Sequence, residues 1–252
     1  MFGYSETFAD RYFKRDGKTD FICFTDDRSL KSSLWQFKYV DSRKLGPVRT
    51  SKMVKLLPHR FVGGYAASLY FDNTVEPKVP AEGFFQLLDA TPEPMLCFRH
   101  PERSCVYDEA EVVTALGLDD PSTIAAQMDH YRALGYPVGA GLITATIMLR
   151  RHNNAALVTV MESWAAEVKR WSYRDQLSFN VVAWRHRFQP AYLTGTPHEN
   201  ELFDWPRISG HRLPRGFRDE VYLKLNPDVA AAGMNPRKHY IEAGFAEGRR
   251  WN

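Results

Sequence analysis

The triplet Arg174-Asp175-Gln176 opens an apolar run that is typical of a buried helix. An aspartate in the first turn of a helix is stabilised by the helix dipole, and its side chain commonly caps the free N–H groups there. Arg174 and Gln176 can also hold the same carboxylate in one orientation, as a reacting group requires. Asp175 is therefore a candidate catalytic residue, and a helix cap is the alternative interpretation.

Carboxylates also follow two apolar runs that are typical of buried strands. Asp26 and Asp27 end the run at residues 20–27, and Asp72 ends the run at residues 67–73. Ligands of α/β proteins bind beyond the carboxyl ends of strands, so these three aspartates are candidate ligand-binding residues. For each of them a turn or cap role is the alternative.

Basic residues recur in a helix predicted over residues 50–58 and at Arg49, directly before it. Lys52, Lys55 and His59 fall along one face, at spacings of three and four. Arg49, Lys52 and Lys55 can bind an anion such as a phosphate or, alternatively, remain solvated. Other polar residues follow predicted strands, and for the histidines a structural role is the alternative. These residues are His100, Arg103, Arg151 and His152.

Composition limits the class of protein. With 252 residues, of which 44% are hydrophobic and 13% aromatic, the chain can bury one substantial core and carry one small appendage. The net charge of +3 gives no reason to expect a nucleic-acid partner. Cys23, Cys97 and Cys105 lack the spacing of metal ligands, which favours buried free thiols in a reducing compartment.

Neither a membrane span nor a secretion signal is evident in the sequence. No apolar run approaches the roughly 18–20 residues that cross a bilayer, and the amino terminus lacks a signal-peptide pattern. We expect a cytoplasmic protein, with room for peripheral association at the inner face of the membrane. The segment Met1-Phe2-Gly3-Tyr4 leads into polar sequence, where an α/β domain normally opens on a full strand. This is typical of a clipped first strand.

Apolar periodicity predicts alternating strands and helices, the pattern of an α/β sheet. Strands are predicted at residues 20–27, 35–40, 67–73, 95–98 and 141–149. Helices are predicted at residues 50–58, 83–88, 108–116, 122–134 and 175–184, with another through Met161, Trp164 and Val168. Beyond residue 187 prolines interrupt the pattern. We therefore expect a main domain at residues 1–187, a loop-rich strap at 188–216 and a small helical module at 217–252.

Six motifs in series resemble those of a known family. They are Phe24-Thr25-Asp26-Asp27, the Arg49/Lys52/Lys55 helix with Pro58-His59, Tyr70-Phe71-Asp72, His100-Pro101-Glu102-Arg103, Arg150-Arg151-His152 and Arg174-Asp175-Gln176-Leu177-Ser178-Phe179. Over roughly residues 2–184 the set resembles a glycosyltransferase-like family of bacterial and plant proteins. That family was long catalogued as a domain of unknown function and is linked in plants to mucilage polysaccharide synthesis.

The resemblance implies a GT-A-like (Rossmann-like) mixed sheet flanked by helices, and a nucleotide-diphosphosugar donor. It also implies a divalent metal, manganese or magnesium, at Asp72. Many GT-A enzymes have two acids spaced by one residue there, whereas this chain reads Asp72-Asn73-Thr74. One carboxylate together with a diphosphate can still hold such a metal, because hard cations accept phosphate oxygens and water as ligands.

The resemblance also distributes roles among the candidate residues. Asp175 would be the catalytic residue nearest the anomeric carbon, as general base in an inverting transfer or as stabiliser or nucleophile in a retaining one. The acceptor would be a glycan, bound by His100, Arg103, Arg151 and His152. The donor would be bound by Asp26, Asp27, Arg49, Lys52, Lys55, Asp72, Arg174 and Gln176.

The carboxyl-terminal segment is similar to a small helical module that recurs beside bacterial surface-polysaccharide glycosyltransferases. Asn226-Pro227-Asp228 predicts a helix start, Gly233 its end and Pro236 the next start. The module indicates a bacterial origin and glycan assembly, with a packing role or ligand binding both open.

Three functions are compatible with these observations. The first is a metal-assisted glycosyltransferase acting on a cell-surface polysaccharide or another glycan. The second is a non-catalytic partner that binds nucleotide or glycan in polysaccharide assembly, as the single acid at Asp72 suggests. The third, a lipid hydrolase, is disfavoured because the sequence has no Gly-x-Ser-x-Gly elbow and no zinc-ligand pair.

Overall fold

A computed structural model describes residues 1–3, 16–205, 213, 214, 216–245 and 247–252. The predicted alternation of strands and helices is confirmed as a mixed α/β structure with a mixed sheet flanked by helices. Tyr4 and the segment after it lie outside the described residues, so the clipped first strand stays a prediction. Residues 206–212 and 215 of the predicted strap, with Pro206, also lie outside them.

The main domain contains most of the regular structure. Its strands are β1 (Ile22–Thr25), β2 (Gln36–Tyr39), β3 (Ser68–Phe71), β4 (Glu76–Pro77), β5 (Met95–Arg99) and β6 (Ile143–Arg150). Its helices are α1 (Gly46–Leu56), α2 (Pro58–Phe61), α3 (Ala81–Asp89), α4 (Val106–Ala115), α5 (Pro121–Ala133), α6 (Ala155–Arg170) and α7 (Gln176–Arg185). Helix α1 begins before the predicted residue 50, because Pro47 in its first turn favours a helix start.

The main sheet has the strand order β3-β6-β5-β7, in which β7 is Ala191–Tyr192 from the predicted strap. Strand β6 runs antiparallel to both β3 and β5, whereas β7 runs parallel to β5. All eight residues of β6 are buried. A fully buried strand usually belongs to a parallel sheet, but here helices cover both faces of a mixed sheet in which β6 is antiparallel to both of its neighbours.

Two smaller pairs of strands complete the sheets of the described residues. Strands β1 and β2 pair in parallel, in a sheet separate from the main one. The Trp35 ring, just before β2, packs against Phe71 of β3 with centroids 6.2 Å apart. Strand β4 pairs with β8 (Phe203–Asp204), which joins the strap to the turn after Asp72.

Alternate residues of the sheet face two different apolar layers. Cys97 and Met148 pack with α1, α6 and α7, whereas Leu96, Ile147 and Leu149 pack on the α3 side. This alternation follows from the two-residue period of a strand. The site described below lies on the first of these faces, beneath α1 and α7.

The predicted helical module has its own small core. It contains α8 (Asp219–Leu225), α9 (Pro227–Ala231), α10 (Pro236–His239) and a π-helix at Tyr240–Gly244. Phe217, Tyr222, Val229 and Tyr240 form its core, and the starts predicted at Pro227 and Pro236 are confirmed. The limits of the three predicted segments remain predictions.

Candidate active site

Asp175 occupies the N-cap position of α7, yet its carboxylate makes no capping hydrogen bond. The side chain instead turns to α1, where Oδ1 accepts a hydrogen bond from Lys52 Nζ at 3.0 Å. Lys55 Nζ lies 2.7 Å from Oδ2, as an ion pair outside hydrogen-bond geometry. Asp120 and Asn154, by contrast, cap α5 and α6 through their side chains. The capping interpretation of Asp175 is therefore wrong.

The two lysines share one face of α1, as the three-residue spacing predicts, and the structure shows that this face points inward. The Lys55 side chain is 4% exposed and that of Lys52 is 18% exposed, so both ammonium groups are largely removed from water. An ammonium group in such a place requires a negative partner. Asp175 supplies that partner and fixes both lysines at one point.

Asp72 lies beside the same lysines, directly after β3. Its Oδ1 accepts a hydrogen bond from the Tyr70 hydroxyl at 2.7 Å and stands 3.8 Å from Lys55 Nζ. The side chain is 36% exposed, so it forms the open edge of the group. We call Lys52, Lys55, Tyr70, Asp72 and Asp175 the lysine–aspartate cluster. Tyr70 was missed as a site residue, although residues two apart on a strand share a face.

Charge and burial oppose each other at the cluster. Burial alone would raise the pKa of Asp175, but the positive charges of Lys52 and Lys55 outweigh it and hold this pKa below its usual value. Burial lowers the pKa of Lys52, against the raising effect of Asp175. Asp175 is accordingly ionised at neutral pH.

Two buried side chains hold the backbone of the cluster through hydrogen bonds to carbonyl oxygens. The Trp164 indole N–H donates to the Asp175 carbonyl oxygen at 2.8 Å, and this ring is fully buried. Arg150 donates to the Lys55 carbonyl oxygen at 2.7 Å, and burial lowers its pKa to about 10. Sequence reasoning gave neither residue a role at the site, because both contacts join positions far apart in the chain.

The other predicted donor-binding residues have different surroundings. Asp26 accepts hydrogen bonds from Gly3 N and Ser42 Oγ, and Asp27 accepts them from the backbone and side chain of Ser29. Both carboxylates therefore form hydrogen bonds that stabilise the loops at the end of β1. Their role in nucleotide binding stays a prediction.

Arg49 departs from the prediction that all three basic residues of α1 point to the diphosphate. It donates to the carbonyl oxygens of Val168 and Trp171, at the carboxyl end of α6. The unpaired carbonyls of a helix end attract a cation, which accounts for this placement.

Arg174 and Gln176 do not hold the Asp175 carboxylate, as the sequence had suggested. The Gln176 amide donates to the Ile143 carbonyl oxygen at 3.2 Å, and the Arg174 backbone N–H donates to Ser172 Oγ at 3.1 Å. Lysines from α1 have the expected orienting role instead. Contact of Arg174 and Gln176 with a donor stays a prediction.

The four predicted acceptor-binding residues are split between opposite ends of the sheet, which corrects the expectation that they gather at one end. His100 N donates to Leu142 O before the start of β6, whereas Arg151 N donates to Pro94 O before the start of β5. Because β5 and β6 are antiparallel, their carboxyl ends point in opposite directions. Only His100 and Arg103 therefore lie toward the end where Asp72 follows β3.

Arg151 and His152 make contacts that join structural elements. The Arg151 guanidinium donates to the carbonyl oxygens of Leu88, Thr91 and Glu93, which joins the end of α3 to β5. His152 is fully buried and its Nε2 lies 3.0 Å from Val62 O. At the other end, Arg103 Nε donates to Glu109 at 2.6 Å, with His100 3.7 Å from the same oxygen.

The buried His152 gives a pH-dependent prediction. Burial lowers its pKa, partly offset by the hydrogen bond to Val62, so the unfolded chain takes up a proton before the folded one does. Stability should therefore fall as the pH drops from about 7 to about 5, by up to ~1.4 kcal/mol per pH unit for one such group. In His152→Asn, unfolding by urea at several pH values should show a smaller fall.

A matched control for this prediction is His198→Asn, which replaces an exposed imidazole. It should retain the wild-type dependence of unfolding free energy on pH. An identical dependence in His152→Asn and wild type would show that His152 does not resist protonation.

The metal implied at Asp72 finds a poor set of ligands. The carboxylate is a single hard ligand, with Tyr70 on Oδ1 and the Lys55 ammonium 3.8 Å away. Thr74 Oγ1, two residues on, accepts a hydrogen bond from the Trp205 indole N–H at 3.0 Å. Within the described ranges, no group of three His, Cys, Asp or Glu residues could hold a metal ion. The residues present do not fit a divalent cation.

Two surface cavities lie away from the lysine–aspartate cluster. One of about 690 Å³ is lined by Trp184, Arg185 and Arg187, and one of about 620 Å³ lies between α3 and the strap, beside Tyr192 and His198. Neither is lined by a residue of the cluster. We place the site at the cluster because Lys52, Lys55, Asp72 and Asp175 bring their charges together there.

Fold and site together define a mixed α/β protein with a buried lysine–carboxylate site next to one end of its main sheet. The chain belongs to the TOD1/MUCI70 glycosyltransferase-like domain family, which matches residues 23–201. It is 29% identical over 201 residues to "Probable hexosyltransferase MUCI70" of Arabidopsis thaliana, across 71% of this chain. The match spans 33% of that relative's length. Both comparisons support a transferase and glycosyl transfer in general, and they confirm the family resemblance.

Other expectations are not supported by these comparisons or are tested by the structure alone. The curated relative is a plant protein, so the expected bacterial origin is not supported. No solved structure matches the chain. The expectation of buried free thiols is confirmed for Cys23, Cys97 and Cys105. Among the described helices, none has the length and apolar character that would span a bilayer.

Proposed function

We propose that this protein is a GT-A-like glycosyltransferase that moves a sugar, of the hexosyl class, from a nucleotide-diphosphosugar donor to a glycan acceptor. The observation that carries this proposal is the lysine–aspartate cluster. It places two ammonium groups within 3.0 Å of the oxygens of one buried carboxylate, next to a second, partly exposed carboxylate. Such a set can meet both the leaving diphosphate and the reacting sugar.

The chemistry follows from the charges. Departure of the diphosphate leaves positive charge on the anomeric carbon and negative charge on the leaving oxygens. Asp175 would face the positive charge on the anomeric carbon, and Lys52 and Lys55 would face the negative charge on the leaving oxygens. Because its pKa is low, Asp175 is a weak general base while the lysines hold it. We therefore favour its action as stabiliser or nucleophile over proton abstraction.

The acceptor site is proposed beside His100 and Arg103, toward the end of the sheet where Asp72 follows β3. Burial lowers the pKa of His100 despite the raising effect of Glu109, which favours a neutral imidazole. Its Nδ1 accepts hydrogen bonds from the backbone N–H groups of Glu102 and Arg103, so the Nε2–H would donate to a sugar hydroxyl. A cell-surface polysaccharide is the acceptor we propose. Action in the cytoplasm, peripheral to membrane-bound polysaccharide machinery, is part of the same proposal.

The alternative function is a non-catalytic partner that binds nucleotide or glycan. It is favoured by one observation, the burial of Asp175 with both oxygens beside lysines. Thermal unfolding in the presence of a panel of nucleotide sugars tests both functions, because a ligand of the folded state raises the midpoint. The nucleotide sugar that binds is then incubated with glycan acceptors, and release of nucleoside diphosphate is measured.

The three outcomes separate the functions. Binding followed by release of nucleoside diphosphate that depends on the acceptor supports the glycosyltransferase. Binding without release under any acceptor supports the non-catalytic partner. A panel that leaves the midpoint unchanged throughout contradicts the glycosyltransferase and a partner that binds nucleotide.

A further inference from the structure

The two lysines of the lysine–aspartate cluster lie on a helix whose backbone is held in place by packing and a hydrogen bond. Helix α1 packs on α6 through the buried residues Met53 and Leu56, and Arg150 holds the Lys55 carbonyl oxygen. Lys52 and Lys55 therefore approach the site from fixed backbone positions. Preorganised charges of this kind stabilise developing negative charge without rearrangement of solvent.

The cations retain donors for a ligand. An ammonium group has three N–H donors, and Asp175 takes one from Lys52. Lys52 is also the more exposed of the two lysines, at 18% against 4%. Its remaining N–H groups can meet a phosphate oxygen at the edge of the cluster while the bond to Asp175 keeps the side chain in place.

The same cations occupy the electrostatic position of a metal. A divalent ion on Asp72 would lie close to the Lys55 ammonium, which stands 3.8 Å from Oδ1, and like charges at that distance repel. The remaining ligands of such an ion would come from Asn73 and Thr74, and the Thr74 hydroxyl already accepts from Trp205. A diphosphate at the lysines would not meet this repulsion between cations.

We propose that Lys52 and Lys55 take the place of a divalent metal, so that the donor diphosphate binds, and leaves, through lysine ammonium groups alone. This inference rests on the proposed function, since it concerns the donor of the same reaction. In it, Asp72 and Tyr70 position Lys55, and Asp175 positions both lysines in addition to facing the sugar.

The test measures binding of UDP, GDP, ADP, CDP and inorganic pyrophosphate by titration calorimetry, once with EDTA and once with excess manganese. The dissociation constant of the nucleotide that binds should agree within about twofold between the two conditions. Lys52→Ala should weaken binding at least about tenfold in both conditions, and manganese should not restore it. The matched control is Lys169→Ala, an exposed lysine at the end of α6, which should bind as wild type.

Each outcome has a distinct meaning. Binding that requires manganese overturns this inference and leaves the proposed function standing. Wild-type affinity in Lys52→Ala likewise overturns it. Lys52→Arg, which keeps the charge, should retain most of the affinity, and its failure together with normal thermal unfolding would contradict a role for the charge itself. If none of the nucleotides binds in either condition, the proposed function fails and this inference fails with it.

Discussion

Asp175→Asn is expected to reduce sugar transfer at least about 100-fold, because it removes the only negative charge that is fully buried between Lys52 and Lys55 in the described structure. The same substitution should tighten binding of inorganic pyrophosphate by about tenfold, or ~1.4 kcal/mol, since it removes the competing negative charge while the new amide oxygen still accepts from Lys52 and keeps that lysine in place. Opposite changes in turnover and in anion binding would mark Asp175 as a reacting residue. Nucleotide release and titration calorimetry measure the two effects.

A purely structural ion pair gives a different pattern. Breaking a buried pair costs up to about 3–5 kcal/mol of folding free energy, and transfer and binding would then decline together with the folded fraction. Asp129→Asn is the control, because it removes an exposed carboxylate paired with Arg132 on α5. Pyrophosphate affinity measured below the unfolding transition of each variant separates the two explanations. Weaker pyrophosphate binding in folded Asp175→Asn would refute the reacting role.

Trp164→Ala is expected to give the largest loss of stability, about 3–5 kcal/mol, because it removes a fully buried ring and leaves a cavity. The ring also packs edge-on against Phe179, with centroids 4.7 Å apart, and donates to the Asp175 carbonyl oxygen. Chemical unfolding monitored by circular dichroism should show a lower midpoint. In a marginally stable domain such a loss can exceed the folding free energy.

Trp164→Phe separates the contribution of apolar packing from that of the hydrogen bond. It keeps most of the apolar packing and loses the hydrogen bond to Asp175 O, so a smaller loss of about 1–2 kcal/mol is expected. Trp184→Ala serves as the control, because that ring is 42% exposed. Equal losses in Trp164→Ala and Trp184→Ala would contradict the assignment of Trp164 to the core beneath the site.

Much of the fold could be predicted because local patterns determine it. Apolar runs located β1, β3, β5 and β6, and proline positions located the starts of α9 and α10. Strand direction could not be predicted in this way. A run of apolar residues is equally compatible with either direction, and the antiparallel placement of β6 moved His152 away from His100.

The site was predictable residue by residue but not as an arrangement. The spacing of Lys52 and Lys55 indicated that they share one face of α1, and Asp175 stood out as an acid at the start of a buried helix. Nothing local indicated that they meet, because α1 and α7 are far apart in the chain and pack only in the folded protein. The sequence therefore left a helix cap open as the alternative for Asp175 and did not indicate the ion pairs.

The central position of β6 has a consequence for the order in which the protein can be built. Strands β3 and β5 both precede β6 in the chain, yet in the sheet each pairs with β6 and not with the other. A nascent chain that ends before residue 143 therefore contains two strands of the sheet without the one that joins them. Pairing over such long loops is intrinsically slow. Until β6 has left the ribosome, β3 and β5 lack their common partner, and unpaired apolar strands of this kind are prone to aggregation.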